Sequence, residues 1–413
     1  MERYDYLIIG GGVAGVTAAE TIRELDSASS IAVVSDEAHA LYSRVMLPHY
    51  VKGVFKREKV FLRNPSDYAA RGITFLGSVA VSGLDVHSRR VTLDTGSIIE
   101  FGKLLIAGGG RPRSLPAIPA SWEGVSRFQT IEDADAMLRL LPSRKQAVVV
   151  GSSFIALEYL GILSHFGIPA TLIFREPHFF GGHLDPDGGE LLHEQFRRHG
   201  VRAIIPGDTL AAVEGDSAVS GVMTAAGTAI SCDFLGLGVG LERNTSWLRG
   251  SGLTVTDFGV RTNEFLQTNA AGVFAAGDIA EFYDPRSRMH HSRGNWTNSF
   301  LQGKTAGWNM ARPDARQAFQ YVSSYTIKSL GMVISFVGDT RVRAGVDAVT
   351  RLGRDRSSHA RFFLAREQLI GAVLINRPHD APAVTVRIQT GESIRDLQAK
   401  LSDESFDLAE VLR

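Results

Sequence analysis

Hydrophobic and polar residues alternate along the chain at two different spacings, and these spacings follow each other in a repeated order. Residues 4–9 form an apolar, β-rich run, residues 16–25 place apolar side chains at helical spacing, and residues 30–34 form a second apolar run. Further along, apolar runs at 146–150 and 170–174 again flank a helical stretch. The pattern predicts two strand–helix–strand units, each contributing parallel strands to a sheet.

A glycine-rich turn joins the first strand to the first helix. Gly10 permits a tight turn, Gly12 lets the backbone approach a pyrophosphate, and Gly15 allows the helix to pack closely on the strand. The phosphates would lie at the helix N-terminus, where free N–H groups and the helix dipole favour anions. Acids that follow the second strand can accept hydrogen bonds from ribose hydroxyls. The turn and those acids predict a dinucleotide site formed by Gly10, Gly12, Val13, Ala14, Gly15, Asp36 and Glu37.

The second unit carries a degenerate form of the same turn, in which Ser153 replaces the middle glycine and Ala156 the last. Its position after the first unit still favours a second dinucleotide site. Phe174 takes the usual acidic position and Arg175 follows it, which favours the 2′-phosphate of NADPH, whereas Glu176 would repel that phosphate. NADH therefore stays open as the alternative. The predicted site residues are Gly151, Ser152, Ser153, Ile155, Arg175, Glu176 and Gly240.

Two further signals complete the outline. Residues 268–278 read as a short apolar strand that runs into Gly277-Asp278, and an aspartate at the carboxyl end of a strand can hold a sugar-alcohol hydroxyl. After about residue 309 the pattern changes, because residues 318–375 alternate apolar and polar side chains and residues 393–412 have helical spacing. These features predict a third, α+β domain.

Composition excludes several classes of function. The chain has 413 residues, with 44 Lys and Arg against 44 Asp and Glu, so its overall charge does not favour nucleic acid or an acidic membrane surface. Cys232 is the only cysteine, so no intramolecular disulfide can form, and we expect it to be a small buried hydrophobe.

No apolar stretch approaches the ~18 residues of a membrane span, and residues 1–7 do not read as a signal peptide. We expect a cytoplasmic protein without a membrane segment. Adjacent His290 and His291 lack a third ligand, so no metal site is predicted.

The ordered motifs resemble the two-dinucleotide flavoprotein family, which includes glutathione reductase, the ferredoxin and rubredoxin reductases, the flavin part of NAD(P)H nitrite reductases, and apoptosis-inducing factor. The resemblance covers nearly the whole chain. It implies an α/β fold with two Rossmann-like, glutathione-reductase-like domains and a C-terminal α+β interface domain. An FAD-binding domain would comprise 1–112 and 240–312, with an NAD(P)H-binding domain at 113–239 and the C-terminal domain at 313–413. The implied cofactors are FAD and NADPH or NADH.

Short segments carry the family's flavin contacts onto this chain. Tyr42-Ser43-Arg44 resembles the segment whose basic residue contacts FAD, and Asp278 matches the aspartate that binds the flavin ribityl chain. Residues 294–303 resemble the segment under the isoalloxazine and include Trp296, for which core packing is the alternative. The residues implied for FAD contact are Arg44, Val81, Ala107, Gly108, Gly277, Asp278, Trp296 and Lys328.

Three residues are implied at the reaction centre by the same resemblance. Glu158 matches the glutamate close to the nicotinamide and the flavin, and Phe154 stands where many relatives have an aromatic residue that gates the nicotinamide pocket. Lys328 lies in a stretch that resembles one near the flavin of rubredoxin reductase. Its cation would stabilise negative charge on the reduced flavin, and a surface lysine on a strand is the alternative.

The chain departs from the family in ways that narrow its chemistry. Disulfide reductases carry a cysteine pair near residues 40–50, and the peroxidase, oxidase and coenzyme-A-disulfide branches keep one cysteine there, whereas residues 41–50 here contain none. A thiolate is the nucleophile in those reactions, so we exclude them. The Ala-Thr-Gly and Arg-Pro-Asn of the family are Ala107-Gly108-Gly109 and Glu242-Arg243-Asn244 here.

The resemblance therefore implies an FAD-dependent NAD(P)H oxidoreductase in which hydride passes from NAD(P)H to FAD. Electrons would then pass to an acceptor. The favoured acceptor is a small iron–sulfur protein of the ferredoxin type or a rubredoxin-type protein. The alternatives are direct flavin-mediated oxidation or reduction of a small molecule, such as oxygen or nitrite in a reductase subunit, and a signalling role like that of apoptosis-inducing factor. Oligomeric state stays open between monomer and homodimer.

Two basic stretches are candidates for docking an acidic carrier protein, with solvated loop charge as the alternative interpretation. One stretch comprises Arg286, Arg288, His290, His291 and Arg293. The other comprises Arg341, Arg343, Arg351, Arg354, Arg356, Arg361 and Arg366.

Overall fold

The computed structural model describes residues 2–115, 118–119 and 121–412. Met1 and Arg413, the outermost residues of the predicted first and last domains, lie outside this description, as do residues 116, 117 and 120 of the predicted NAD(P)H-binding domain. The strands are β1 (Glu2–Ile9), β2 (Ile31–Val34), β3 (Ile73–Leu76), β4 (Val81–Asp85), β5 (Arg90–Leu93), β6 (Ile98–Ile106), β7 (Gly110–Pro112), β8 (Val125–Ser126), β9 (Ala147–Val150), β10 (Ala170–Phe174), β11 (Val201–Pro206), β12 (Leu210–Glu214), β13 (Gly221–Thr224), β14 (Ala229–Ser231), β15 (Phe234–Leu237), β16 (Leu241–Arg243), β17 (Val255–Thr256), β18 (Gly259–Thr262), β19 (Val273–Ala275), β20 (Ala280–Asp284), β21 (Met289–His291), β22 (Ser324–Ser329), β23 (Met332–Gly338), β24 (Asp347–Leu352), β25 (His359–Ala365) and β26 (Gln368–Ile375).

The α-helices are distributed between the strands in the order that the sequence pattern predicts for the two βαβ units. They are α1 (Val13–Leu25), α2 (Leu47–Val51), α3 (Pro65–Ala70), α4 (Ile131–Leu140), α5 (Phe154–His165), α6 (Pro186–Arg198), α7 (Trp296–Ala311), α8 (Ala381–Thr390), α9 (Gln398–Ser402) and α10 (Leu408–Val411). None of the helices in the described ranges combines the length and the apolar character that crossing a bilayer would require.

The chain divides into two compact units. The first contains the residues through Met46 together with Phe55–Arg111 and Leu241–Tyr321. The second contains Leu47–Val54, Pro112–Gly240 and the residues from Val322 onward.

The first unit is built on a seven-stranded sheet with the order β3-β2-β1-β6-β5-β4, in which β19 also pairs with β6. β1, β2, β3, β6 and β19 run parallel, and β4 and β5 add an antiparallel edge. The central strands are apolar on both faces because helices or further segments cover each side. α1 and α7 cover one face, and their core includes Ile8, Val16 and Ala306.

The second unit contains a five-stranded parallel sheet, β11-β10-β9-β15-β8. Buried residues of β9 and β15 pack with Ile173 and Cys232 in one cluster. Cys232 is buried, as expected for a small hydrophobe, and it lies between β14 and β15 rather than on a strand. The parallel strands place the ends of β9 and β10 at the same edge of the sheet, where the second glycine turn begins.

The C-terminal part of the second unit is a five-stranded antiparallel sheet, β22-β23-β26-β25-β24. The alternating pattern of residues 318–375 predicts these strands. Residues 393–412 do not form one helix, although their spacing is helical, because the chain is interrupted between α9 and α10. The apolar side chains Ile394, Leu401 and Leu408 nevertheless pack into the core of this sheet, so the spacing identifies buried positions more reliably than it identifies helix length.

Candidate functional site

The first glycine turn shows a division of roles among its glycines. A Cβ atom on Gly10, whose φ is +119°, would lie 2.3 Å from the carbonyl oxygen of Ala107, and one on Gly15 would lie 2.0 Å from the carbonyl oxygen of Gly10. A Cβ on Gly12 would meet no atom within 4 Å. Gly10 and Gly15 are therefore required by contacts within the protein, while Gly12 borders open space at the start of α1. That space fits the phosphates expected there.

The carboxylate of Asp278 is the polar centre of the first unit. It lies in a 3₁₀ turn, Gly277–Ile279, directly after β19, and accepts a hydrogen bond from Ser299 Oγ at 3.0 Å. Burial raises the pKa of Asp278, while the Ser299 hydrogen bond and the charges of Arg243 and Arg44 lower it. The side chain itself remains partly exposed, as a group that binds a ligand hydroxyl requires.

Arg243 holds the Asp278 turn from the neighbouring β16. Its Nε donates to the Asp278 carbonyl oxygen at 3.1 Å, and its Nη2 donates to Ser292 Oγ at 2.6 Å. The sequence shows residues 242–244 only as a departure from the Arg-Pro-Asn of the family, so it misses this contact with the site. Ser299 is missed as well, because only the fold brings α7 beside Asp278.

We expect Arg243→Met to weaken FAD binding, because the variant loses two hydrogen bonds and a positive charge beside Asp278. The loss should be about 1–3 kcal/mol in the binding free energy, as for hydrogen bonds to charged groups. Fluorescence titration of the apoprotein with FAD measures it. Arg261→Met is the matched control, since Arg261 pairs with Glu281 and not with Asp278. Equal FAD affinities for the two variants would refute the role of Arg243.

The predicted ribose acids differ in their surroundings. Asp36 is exposed, whereas the Glu37 carboxylate accepts hydrogen bonds from Tyr42 Oη and from the Arg44 guanidinium. The Arg44 guanidinium also lies 5.3 Å from the Tyr42 ring centroid. Glu37 therefore orients the Tyr42-Ser43-Arg44 segment. A ribose hydroxyl that donates to Glu37 would share its carboxylate with Tyr42 and Arg44.

The segment before α7 is organised by a helix cap. Asn295 Oδ1 accepts from the Asn298 N–H at 2.8 Å, and Asn298 Nδ2 donates to the Arg293 carbonyl at 3.0 Å. Trp296 is the first residue of the helix and packs, half-buried, against the core of the first unit. Core packing of Trp296 is thus observed, and its flavin contact stays a prediction.

α7 packs directly on α1 and closes the back of the first glycine turn. A Cβ on Gly303 would lie 2.3 Å from the carbonyl oxygen of Ala14, and one on Gly307 would lie 2.7 Å from that of Ala18. Gln302 Oε1 accepts from the Gly277 N–H at 2.7 Å, while its buried Nε2 has no hydrogen-bond partner among the described residues. The first turn, Asp278 and the start of α7 thus form one packed site.

The second glycine turn packs closely against the segment that follows β15. A Cβ on Gly151, whose φ is +123°, would lie 2.2 Å from the carbonyl oxygen of Gly238. Ser153 Oγ turns toward the same carbonyl at 3.3 Å. A Cβ on Gly238 would lie 2.7 Å from the backbone nitrogen of Ala156, so the chain just after β15 passes close to the first turn of α5 and position 238 requires glycine.

The residues after β10 bear on the choice of coenzyme. Phe174 is buried, and Arg175 is exposed without an ion pair in the described part of the chain. Glu176 accepts a hydrogen bond from Ser152 Oγ at 2.6 Å, which holds its carboxylate at the glycine turn. Gly240, whose φ is +93°, accepts from the Arg113 N–H at 3.0 Å.

Phe154 begins α5 and belongs to a cluster of four aromatic rings. Its ring centroid lies 5.0 Å from those of Phe180 and Tyr325 and 4.9 Å from that of Phe336. Tyr325 and Phe336 stack at 5.2 Å on β22 and β23. Edge-to-face and stacked contacts of this kind hold the ring in one place. The sequence identifies Phe154 but misses Phe180 and Phe336, which lie in other segments.

Glu158 lies one turn along α5 from Phe154, on the same side of the helix. Its Oε2 is buried and has no hydrogen-bond partner within the described ranges. Burial raises the pKa of Glu158 to about 7, and the charge of Lys52 opposes this only in part. A buried carboxyl group without a partner beside a nucleotide-binding turn is a functional-site candidate.

The other predicted residues have simpler environments. Lys328 is exposed on β22, paired in register with Val333, and Val81 packs its side chain against the core of the first unit. Ala107 donates its N–H to the Ile9 carbonyl at 2.7 Å, at the end of β6. Nothing in these contacts tests the flavin roles expected for Lys328, Val81, Ala107 and Gly108.

One of the predicted docking stretches is partly wrong. Arg351 is fully buried, and its guanidinium donates to the carbonyl oxygens of Leu401, Phe406 and Lys400 at 2.7–2.9 Å. Its charge therefore ties the C-terminal tail to β24 instead of facing a partner. The neighbouring arginines are engaged as well, in ion pairs that join Arg343 to Asp339, Arg354 to Glu404 and Arg356 to Asp187.

The other predicted docking stretch, from Arg286 to Arg293, lies in and just after the hairpin of β20 and β21. Arg286 pairs with Asp284 at 3.2 Å and donates to the Tyr321 carbonyl at 2.8 Å, so it stabilises the hairpin. Ser287 Oγ and His291 Nε2 form a hydrogen bond at 2.6 Å. Arg288 and His290 are exposed.

Comparison with known proteins agrees with this geometry. Residues 4–303 match the family model described as pyridine nucleotide-disulphide oxidoreductase. The chain is 25% identical over 397 residues to a nitrite reductase [NAD(P)H] of Bacillus subtilis, covering 96% of this chain and 48% of that protein. It therefore spans about half the length of that relative.

Two further comparisons concern electron-transfer proteins. The 5,5'-dehydrodivanillate O-demethylase ferredoxin reductase subunit of a Sphingobium strain is 30% identical over 283 residues, covering 68% of each chain. The crystal structure of a covalent putidaredoxin reductase–putidaredoxin complex contains a chain with a TM-score of 0.92 at 24% identity, covering 100% of this chain and 99% of that one. The fold is thus that of two-domain reductases, as the sequence predicts, and this chain belongs to the pyridine nucleotide-disulphide oxidoreductase family, with FAD and NAD(P)H as its cofactors.

Proposed function

We propose that the chain is an oxidoreductase that passes electrons from NAD(P)H through FAD to a small iron–sulfur or rubredoxin-type protein. Bound FAD supplies the redox chemistry, since it accepts two electrons at once and releases them singly. Each NAD(P)H oxidised would release one proton and reduce two molecules of a one-electron carrier. The relatives named as a ferredoxin reductase subunit and as a reductase in complex with putidaredoxin support this acceptor.

The observation that carries the proposal is the unpartnered carboxyl group of Glu158 beside the second glycine turn. The protein would bind the nicotinamide there, with Phe154 held by its ring cluster as one wall. Gly12, Asp278 and the first turn of α1 would hold FAD in the first unit. Lys328 would add a cation near the flavin.

We also propose that the protein does not reduce disulfides, despite the family name. The Tyr42–Arg44 segment carries no cysteine, and Cys232 is buried in the second unit. Burial raises the pKa of the Cys232 thiol to about 12, so no thiolate forms near neutral pH. The protein should therefore leave a small disulfide such as oxidised glutathione unreduced.

We expect NADPH to be preferred to NADH, because Arg175 is exposed after β10 and can pair with a 2′-phosphate. Arg175→Ala should lower kcat/KM for NADPH by about tenfold, or about 1.4 kcal/mol, and leave kcat/KM for NADH within about twofold. Steady-state kinetics with both coenzymes measures this. A tenfold preference of the wild-type protein for NADH would contradict the expectation.

The direct test is anaerobic stopped-flow mixing of the flavin-loaded protein with NADPH and, separately, with NADH. Fast bleaching of the flavin band that persists in air and is discharged by a ferredoxin supports the proposal. Fast bleaching followed by rapid reoxidation by oxygen, nitrite or another small molecule would assign direct oxidoreductase activity instead. No bleaching with either coenzyme would refute electron entry through the second glycine turn.

The remaining expectations are part of the same proposal. We infer a cytoplasmic protein, and we propose the division into FAD-binding, NAD(P)H-binding and C-terminal domains at the boundaries predicted from the sequence. Monomer and homodimer both stay open.

A further inference from the structure

One exposed face of the first unit joins apolar and basic side chains. We call it the 45–62 face, and it comprises Val45, Phe55, Lys56, Lys59 and Leu62. Val45 is 59% exposed, Phe55 38% and Leu62 40%, and both lysines are exposed. Large apolar side chains that stay in solvent next to charged ones are typical of protein interaction sites.

Backbone hydrogen bonds fix this face beside the segment that carries Arg44. The Ser43 N–H donates to the Val60 carbonyl at 2.8 Å, and the Leu62 N–H donates to the Leu41 carbonyl at 2.9 Å. The rings of Tyr42 and Phe61 meet edge to face, with centroids 6.0 Å apart. The face is therefore built on the same backbone as the predicted FAD contact, as a site for electron exit requires.

The two lysines present their charges together. A 3₁₀ turn spans Arg57–Val60, and the Lys59 N–H donates to the Lys56 carbonyl at 3.0 Å. Lys56 is the extended residue that precedes this turn and Lys59 lies within it, so two exposed positive charges stand three residues apart at one turn. Val60 is fully buried and anchors the turn.

The charges of Lys56 and Lys59 are not neutralised by ion pairs within the described part of the protein. Neither Lys56 nor Lys59 forms an ion pair with a described residue, whereas the nearby Arg63 is held by Glu20 through two hydrogen bonds, at 2.6 and 2.9 Å. Glu58 opposes part of the charge. In the C-terminal stretch, by contrast, Arg351 is buried, and Arg343, Arg354 and Arg356 form ion pairs with described residues.

We propose that the 45–62 face docks a small acidic electron-carrier protein. The proposal rests on the proposed function and names the surface through which electrons leave. The two unpaired lysines would attract the acidic partner and speed its association, and Val45, Phe55 and Leu62 would be covered in the complex.

The test uses the flavin-loaded double variant Lys56→Glu/Lys59→Glu. The matched control is Arg3→Glu/Lys304→Glu, which reverses two exposed charges on β1 and α7 of the same unit. The acceptors are a purified acidic [2Fe–2S] ferredoxin of the plant type and a neutral quinone, whose reduction does not depend on surface charge. Calorimetric titration with the oxidised ferredoxin measures docking without turnover.

We expect the double variant to lose about tenfold or more in kcat/KM for ferredoxin and in ferredoxin affinity, with a weaker salt dependence. Its rate with the quinone should match wild type, and the control should behave as wild type throughout. Phe55→Ser should lower ferredoxin affinity while keeping the salt dependence.

Ferredoxin affinity in the double variant equal to that of the control would overturn the proposal, and so would a wild-type protein that binds no ferredoxin at low salt. Failure of the proposed function has a different signature, because the wild-type protein would then bind the ferredoxin without reducing it, whether or not it reduces the quinone. Calorimetry still decides the docking question in that case.

Discussion

Gly12→Ala is expected to give a protein that folds as well as wild type and binds FAD at least about tenfold more weakly, a loss of about 1.4 kcal/mol. The added methyl group would meet no protein atom within 4 Å. The backbone at Gly12 has a φ of −76°, which alanine adopts readily. The methyl group would instead occupy the space in which the backbone approaches the pyrophosphate.

Gly15→Ala is the matched comparison, because it adds the same methyl group three residues along the turn. There the Cβ would lie 2.0 Å from the carbonyl oxygen of Gly10, so α1 must shift. Overpacking of this kind costs about 1–3 kcal/mol of unfolding free energy or more, with or without FAD. Gly12→Ala should change the apoprotein by less than about 1 kcal/mol, since a poorer N-cap and a less flexible unfolded chain act in opposite directions.

Urea unfolding of the apoproteins and fluorescence titration with FAD separate the two effects. The prediction requires that the first variant fail in FAD binding and the second in stability. If Gly12→Ala bound FAD as tightly as wild type, the first turn would not be the pyrophosphate site.

Glu158→Gln is expected to stabilise the protein at high pH while impairing its reaction with NAD(P)H. The pKa of the folded carboxyl is raised to about 7 from 4.5. Between these values the folded state keeps a proton that the unfolded state has lost, so stability falls as pH rises through this window. Above pH 7 the penalty is about 3 kcal/mol, and glutamine, which does not ionise, removes it.

Urea unfolding of the flavin-loaded proteins at pH 5 and pH 8 measures this difference. The variant should match wild type within about 1 kcal/mol at pH 5 and exceed it by about 3 kcal/mol at pH 8. Glu194→Gln is the control, because Glu194 is an exposed residue of α6 and should show no such gain.

The kinetic arm of the experiment separates function from burial. Wild-type reduction by NAD(P)H should change with an apparent pKa near 7, and this step should be absent in Glu158→Gln. We expect kcat/KM to fall about tenfold above pH 7, where only the wild-type protein presents a charged group to the nicotinamide. A variant that is stabilised at pH 8 but keeps the wild-type pH–rate profile would leave Glu158 buried for reasons unrelated to catalysis.

Local spacing predicts the two strand–turn–helix units, and the family resemblance implies their cofactors. A phosphate-binding turn depends on residues a few positions apart, so spacing shows it directly. The spacing of Gly10 and Gly15 has a physical cause, because an added Cβ at either position would clash with a backbone carbonyl oxygen. The alternating pattern of residues 318–375 likewise predicts strands of an α+β domain, because alternation depends on neighbouring residues alone. The structure shows that these strands form one antiparallel sheet.

Which charged side chains are paired depends on the three-dimensional fold. Arg351 looks like a surface arginine in sequence, but carbonyl groups from a segment about 50 residues further on bury it completely. Lys56 and Lys59 look ordinary, yet the fold leaves them unpaired beside the segment of Arg44. Charge pairing depends on distance in space, which local pattern does not encode.

The environment of Glu158, unlike the glycine turn before it, also depends on distances in space that local pattern does not encode. The sequence predicts that Glu158 lies on the helix after that turn. Its Oε2 is buried and has no hydrogen-bond partner because no described residue of the unit places a donor next to it. The close approach of Gly238 to the backbone nitrogen of Ala156, 82 residues away in sequence, is likewise a result of the fold. Local spacing thus predicts the two glycine turns, while packing between distant segments sets the burial and the hydrogen bonding of the side chains beside them.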